Sequence, residues 1–194
     1  MRLFVALEIP SAVREKLAAL IEELRAAGSK SAQSKMRPRW VPAENLHLTL
    51  KFIGHVEEER VAGIRSELAQ VRSAAAVDLR FRRLGFFPND KRPRVLWAGV
   101  EASPNLAALA GEIDARIEKF GVARETREFA PHLTLARFDP PGISDELRRA
   151  VQAHIPREFG AARGNEFYLF ESKTRPSGAE YTRVATFMFA RPED

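Results

Sequence analysis

The chain has 194 residues, 45% of them hydrophobic, no cysteine and a formal net charge of +5. That length bounds it to one domain or two closely packed lobes, and the apolar share excludes a disordered chain. Without cysteine there are no disulfides, thiolate metal sites or cysteine nucleophiles, which fits a reducing cytoplasm; the arginine-rich positive balance favours a phosphate-bearing partner, although arginine richness also follows from genome composition.

Residues 2–8 read as an opening strand, too short and too soon charged for a secretory signal. No apolar run reaches the length of a membrane span, so no membrane partner is expected. Pro10-Ser11 starts a helix through about Arg25, with Val13, Leu17, Leu20, Ile21 and Leu24 at helical spacing. Residues 27–38 are a polar basic loop, residues 39–41 a short strand, and residues 45–53 a strand stopped by Gly54. A helix over 57–73 and an alternating strand over 77–84 follow, then a turn-rich basic loop over 85–94. The second half offers a strand over 95–100, a helix over 104–120, a strand over 129–138, a short helix over 144–153, and closing strands over 166–170 and 181–189. Each half thus runs strand–helix–strand–helix–strand. The order predicts an α+β domain over 1–194 built of two pseudo-twofold-related lobes, each a mainly antiparallel sheet with helices on its outer face.

The tetrapeptide His-Leu-Thr-Leu occurs twice, at 47–50 and 132–135, in a chain with only four histidines. On a strand, alternate residues share a face. His47 and Thr49 therefore point one way and Leu46, Leu48 and Leu50 the other; His132 and Thr134 are likewise opposed to Leu133 and Leu135. Buried leucine faces leave two His/Thr pairs to look into a central polar cleft. Imidazole titrates near neutrality, so two of them can hold opposite protonation states, while the hydroxyls donate to developing negative charge. A metal centre fits poorly, because no carboxylate or cysteine stands beside either histidine at zinc spacing. His55, in a turn, and His154, near a helix end, read as surface residues. Trp40 and Trp97 read as packing residues.

The two motifs sit in Arg39-Trp40-Val41 through Lys51-Phe52-Ile53-Gly54 and in Arg127-Glu128-Phe129-Ala130-Pro131 through Ala136-Arg137. Together with Arg2-Leu3-Phe4-Val5-Ala6-Leu7 and the Phe87-Pro88-Asn89 to Trp97 stretch, they resemble the two-histidine (2H) phosphoesterases, and within them the LigT-like or 2′-5′ RNA ligase family of RNA 2′,3′-cyclic phosphodiesterases. The resemblance covers nearly the whole chain. It implies hydrolysis of RNA 2′,3′-cyclic phosphate ends to 2′-phosphomonoesters, with His47 as proton donor and His132 as proton acceptor. It also implies reversible 2′-5′ RNA ligation in vitro, no cofactor, and a phosphate contact from Arg127. The odd separation of Arg127 from His132 requires a break at Pro131 for both to face the same way. Phe52, Phe86 and Phe87 are candidates for a base platform, with core packing as the default, and Phe52 is the one named as a substrate contact. Lys35, Arg37, Arg39, Lys91, Arg92 and Arg94 are either solvated charge or a track for an RNA backbone. The expected partner is an oligonucleotide or tRNA fragment with a cyclic-phosphate end, bound by a cytoplasmic monomer. The alternatives are a 2′-5′ oligonucleotide or small cyclic nucleotide phosphodiesterase, or an RNA-end-binding module without turnover.

Overall fold

A computed structural model of the chain describes residues 1–29, 38–72, 76–176 and 178–189. Lys35 and Arg37 lie outside the described residues. In chain order the elements are β1 (Arg2–Leu7), α1 (Ser11–Ser29), β2 (Arg39–Trp40), β3 (Leu48–His55), α2 (Glu58–Leu68), β4 (Val77–Phe87), β5 (Val95–Ala102), α3 (Asn105–Ile117), β6 (His132–Arg137), α4 (Asp145–His154), β7 (Glu158–Gly164), β8 (Glu166–Arg175) and β9 (Gly178–Met188). Short 3-10 turns cover Ala43–Asn45 and Glu118–Phe120.

Local chemistry accounts for most of these. The helix α1 buries Val13, Leu17, Leu20, Ile21 and Leu24, the stripe set by its period. Ser144 caps α4 by accepting the Leu147 N–H at 3.3 Å, with Asp145 and Glu146 in its first turn and His154 in its last. In β4 buried Val77, Leu79 and Phe81 alternate with exposed Asp78 and Arg80.

The strands form two sheets, β3-β1-β8-β9 and β2-β6-β5-β4-β7, and every pairing is antiparallel. The lobes are not the two halves of the sequence. The closing strands β8 and β9 complete the sheet of the first motif, while β2 leaves its own half to pair with β6. Helices are exchanged too: α1 packs on α4 and β7 of the second sheet, and α3 packs on β3 of the first. One apolar cluster joins both lobes, from Leu3, Val5 and Leu7 through Leu20 and Leu24 to Leu133, Leu135 and Phe159. A separate small cluster of Phe4, Ala6, Tyr168 and Phe170, with Tyr181 against it, lies on the other face of the first sheet. That face carries the first His/Thr pair.

Candidate active site

The leucines of both motifs are buried as their alternation demands: Leu46, Leu48 and Leu50 on one side, Leu133 and Leu135 on the other. Burying them turns His47, Thr49, His132 and Thr134, all half-buried, to the opposite faces. The strands β3 and β6 belong to different sheets but touch. His47 lies just ahead of β3 rather than within it, and His132 opens β6.

The two histidines are held in the same way. His47 Nδ1 lies 2.7 Å from the Asn45 carbonyl oxygen, and His132 Nδ1 lies 2.8 Å from the Ala130 carbonyl oxygen, each two residues upstream. A carbonyl only accepts, so the proton of each neutral ring sits on Nδ1 and Nε2 is left free. Asn45 is anchored in turn, its Nδ2 donating to the Ala179 carbonyl at 2.7 Å and tying the first motif to β9. Aromatic rings hold the imidazoles from the side. Phe4 lies 4.7 Å and Tyr181 5.3 Å from the His47 ring centroid, and Phe87 stands edge-on 5.0 Å from His132. Phe87 leans on Trp97, whose indole lies across Gly85; a Cβ at Gly85 would sit 2.2 Å from that ring, so only glycine permits the approach.

Burial pushes both imidazoles below their ordinary pKa, more strongly than the Nδ1 contact raises them, and the Arg137 guanidinium lowers both further. His47 also feels His132, which puts the two rings within electrostatic reach of each other. Thr49 and Thr134 make no side-chain hydrogen bond among the described residues, so both hydroxyls are open to a ligand.

Arg137 is the residue that sequence reasoning left without a role. Thr134 pairs with Trp97 and Ala136 with Leu96, so Leu135 is an extra residue in a β-bulge. The bulge reverses the alternation, and Arg137, opposite Val95, returns to the face of Thr134. Its charge acts on His47, His132 and Tyr181 together. It has no hydrogen-bond or ion-pair partner among the described residues. The first motif carries the same bulge: Thr49 pairs with Ala6 and Lys51 with Val5, leaving Leu50 unpaired and bringing Phe52 opposite Phe4 on the cleft face. Phe52 is 59% exposed and its ring lies 6.2 Å from Phe4. On a regular strand its odd offset from His132 would turn Arg137 to the leucine face, so no local pattern announced it; only the bulge brings it to the cleft.

Arg127 is placed otherwise. Its guanidinium makes a two-pronged contact with Glu125, Nε at 2.9 Å and Nη2 at 2.7 Å, on an exposed loop. That contact holds the Glu125 carboxyl down at about 2. In this structure Arg127 is engaged with Glu125 and not with His132. Arg39 pairs loosely with Asp139 at 3.8 Å. Lys91, Arg92 and Arg94 are exposed.

The loop before the second motif is tied to the first motif strand. Lys51 is buried in an ion pair with Asp114 of α3 and donates to the Ala123 carbonyl at 2.7 Å, while the Glu125 N–H donates to Asp114 at 3.2 Å. Burial alone would raise the Asp114 pKa, but Lys51, the Glu125 N–H and Arg124 together hold it below its ordinary value. Among the described residues no three His, Asp or Glu side chains come together as a metal-binding group, and no helix is long and apolar enough to cross a membrane.

A sequence profile of the 2′-5′ RNA ligase superfamily matches residues 13–173. An Archaeoglobus fulgidus protein named RNA 2′,3′-cyclic phosphodiesterase is 33% identical over 189 residues, covering 96% of this chain and 99% of that protein. A Thermus thermophilus protein of the same name is 35% identical over 202 residues, covering 96% of this chain and 89% of that one. Among solved structures, one from Thermus thermophilus superposes with a TM-score of 0.73 at 31% identity, covering 97% of this chain and 98% of that chain. Escherichia coli LigT complexed with 3′-AMP superposes with a TM-score of 0.73 at 27% identity, covering 97% of each chain.

Proposed function

Because the chain belongs to the 2′-5′ RNA ligase superfamily, we propose that it hydrolyses RNA 2′,3′-cyclic phosphate ends to 2′-phosphomonoesters by two-histidine acid–base catalysis without a metal ion. The observation that carries this reading is the matched pair of Nδ1–carbonyl contacts. They leave two Nε2 atoms of fixed tautomer, one from each lobe, with a free guanidinium whose charge reaches both rings.

Ring opening needs a proton removed on one side of phosphorus and a proton delivered on the other. Neutral His132 takes a proton from water at Nε2 as the water oxygen bonds to phosphorus. The bond from phosphorus to the 3′ oxygen breaks, and protonated His47 gives its Nε2 proton to that leaving oxygen. The 2′-phosphate remains. His132 ends protonated and His47 neutral, and solvent exchange resets both. Negative charge grows on the non-bridging oxygens in the five-coordinate transition state. Arg137 neutralises it, and the Thr49 and Thr134 hydroxyls donate to it. The lowered pKa of His132 suits a base that must be neutral. His47 gains its proton most readily when the substrate anion is bound beside it, because a nearby negative charge favours the imidazolium.

The choice of the 3′ oxygen as leaving group, and of His47 as the acid, follows from the resemblance to the two-histidine phosphoesterases and from no contact in the site. Given that choice, an RNA 5′-hydroxyl in place of water yields a 2′-5′ phosphodiester by the same displacement, so ligation is the same chemistry with another nucleophile.

The test is incubation of the full chain with an oligoribonucleotide ending in a 2′,3′-cyclic phosphate, followed by product analysis. A terminal 2′-phosphate is expected. A 3′-phosphate would reverse the leaving-group assignment. Tight binding without turnover would reduce the protein to a capture module for RNA ends.

A further inference from the structure

Beside His47, and away from His132, lies a cavity of about 490 Å³. We propose that it is a nucleobase subsite that selects guanine at the RNA end, an inference that rests on the reaction proposed above. The leaving 3′ oxygen stays attached to the terminal nucleoside. That nucleoside must therefore lie on the side of the proton donor, and the only strong requirement on the other side is access for water. The lining matches this asymmetry, since it includes His47 but not His132. A volume of this size holds a purine nucleoside.

The walls fit a base. Phe170 and Tyr181 give the cavity an aromatic side, and the base of a single-stranded RNA end stacks on such rings. The charges fit a neutral base better than a second phosphate. Glu8 is paired with Arg183 and Glu180 with Arg175, so those carboxylates are already neutralised. What remains open in the lining is Arg14 of α1 and Glu44 of the 3-10 turn that packs on α1. Arg14 makes one long contact, Nη2 to the Ile9 carbonyl at 3.4 Å, and its Nε is buried without an acceptor. Glu44 has no hydrogen-bond or ion-pair partner among the described residues. One free cation and one free carboxylate sum to zero, which disfavours a phosphate.

A guanidinium seeks a pair of acceptors and a carboxylate seeks a pair of donors. Guanine alone among the four bases offers both: O6 and N7 as acceptors on one edge, N1–H and N2–H on the next. Adenine presents a donor where O6 would be, and neither pyrimidine offers adjacent N–H donors from two nitrogens beside a separate acceptor pair.

The experiment has two readouts on the full chain. Binding of the 2′-monophosphates of guanosine, adenosine, cytidine and uridine is measured by calorimetry. Hydrolysis is measured for the four 2′,3′-cyclic mononucleotides and for methyl riboside 2′,3′-cyclic phosphate, which has no base. Guanosine 2′-monophosphate is expected to bind about tenfold or more tightly than the other three. Arg14→Gln and Glu44→Gln, checked for folding by circular dichroism, should each shrink that preference. Equal affinity for all four, or a preference untouched by both variants, overturns the subsite. Guanine-selective binding without hydrolysis overturns the proposed reaction and leaves the subsite standing. Equal hydrolysis of all five esters does the reverse, and absence of both selectivity and turnover overturns both.

Discussion

Phe52 and Arg137 stand at corresponding positions of the two lobes, each five residues after a motif histidine and each returned to the cleft face by a bulge at the second motif leucine. The fold repeats the backbone device and varies what it delivers. One lobe receives an aromatic ring, the other a guanidinium. Phe52 stands near Phe4, which packs on His47, and Arg137 bears on His132. The ring adds an aromatic surface near the first motif, while the guanidinium charge bears on both imidazoles.

The first prediction separates the two. Arg137→Gln should lower kcat on cyclic-phosphate RNA by on the order of 100-fold, the usual loss when a transition-state charge partner is removed. Phe52→Ala should instead raise KM by about tenfold with kcat little changed, as expected for a lost base–ring stack. Arg127→Gln should cost little in kcat, because its guanidinium is already engaged by Glu125. Steady-state kinetics on the three variants decide it. An Arg127 effect as large as that of Arg137 would mean that the ion pair with Glu125 opens when substrate binds.

The second concerns pH. Burial, and then the Arg137 charge, hold both imidazoles below their ordinary 6.5. In the proposed mechanism the rate rises with pH as the base histidine loses its proton and falls as the acid histidine loses its own. With both values depressed, kcat/KM should peak on the acid side of 6.5. Arg137→Gln removes a positive charge near both rings, so both pKa values rise and the whole profile moves to higher pH. Arg137→Lys should keep it in place. A profile unmoved by Arg137→Gln would put the guanidinium out of reach of the imidazoles.

Much of this site was readable from the chain. The leucine alternation announced which faces of the motif strands are buried, and helical spacing announced the inner stripe of α1. Three features were not readable, each for a physical reason. The exchange of β2 and of β8 and β9 between lobes depends on pairing between residues far apart in sequence, which local periodicity does not encode. Strand β7 was missed because Gly160-Ala161-Ala162-Arg163-Gly164 has neither β-branched nor aromatic residues; Phe159 alone anchors it in the core. The bulges were invisible because the extra residue is a buried leucine like its neighbours, so the apolar pattern continues while the alternation after it reverses.

The third prediction addresses the threonines. Their open hydroxyls are assigned to charge that grows in the transition state, so Thr49→Val and Thr134→Val should lower kcat by on the order of 100-fold at nearly constant KM. A raised KM at constant kcat would make them ligands of the ground state.

The fourth concerns the buried link between the motifs. Asp114→Ala leaves the Lys51 ammonium buried without its partner and should cost about 3–5 kcal/mol of stability, read by urea denaturation. Replacing both, Lys51→Met with Asp114→Leu, should recover most of that loss. The Asp114 pKa is depressed in the folded chain, so its contribution is present above its ordinary 3.8 and is lost as the pH falls below that value. Activity tells more than stability here. The Glu125 N–H, on the loop that leads to His132, loses its acceptor in the double variant. A stable double variant with reduced kcat would identify the link as positioning the second motif, and unchanged kcat would confine it to stability.

The last prediction joins the histidines to the proposed metal-independent mechanism. His47→Ala and His132→Ala should each reduce turnover by about 100-fold or more while the chain stays folded, and the double variant should be little worse than the worse single one, since acid and base act in one displacement. In the proposed mechanism side chains fill all three charge-handling roles: Nε2 of one ring takes a proton, Nε2 of the other gives one, and Arg137 meets the developing charge. A bound divalent ion would duplicate the guanidinium and compete for the lone pair on the base nitrogen. Wild-type hydrolysis should therefore persist in excess EDTA with an unchanged pH profile. Loss of activity under chelation, restored by one particular metal and still sensitive to His132→Ala, would recast His132 as a metal ligand and not the base, even if the substrate were a cyclic-phosphate RNA end.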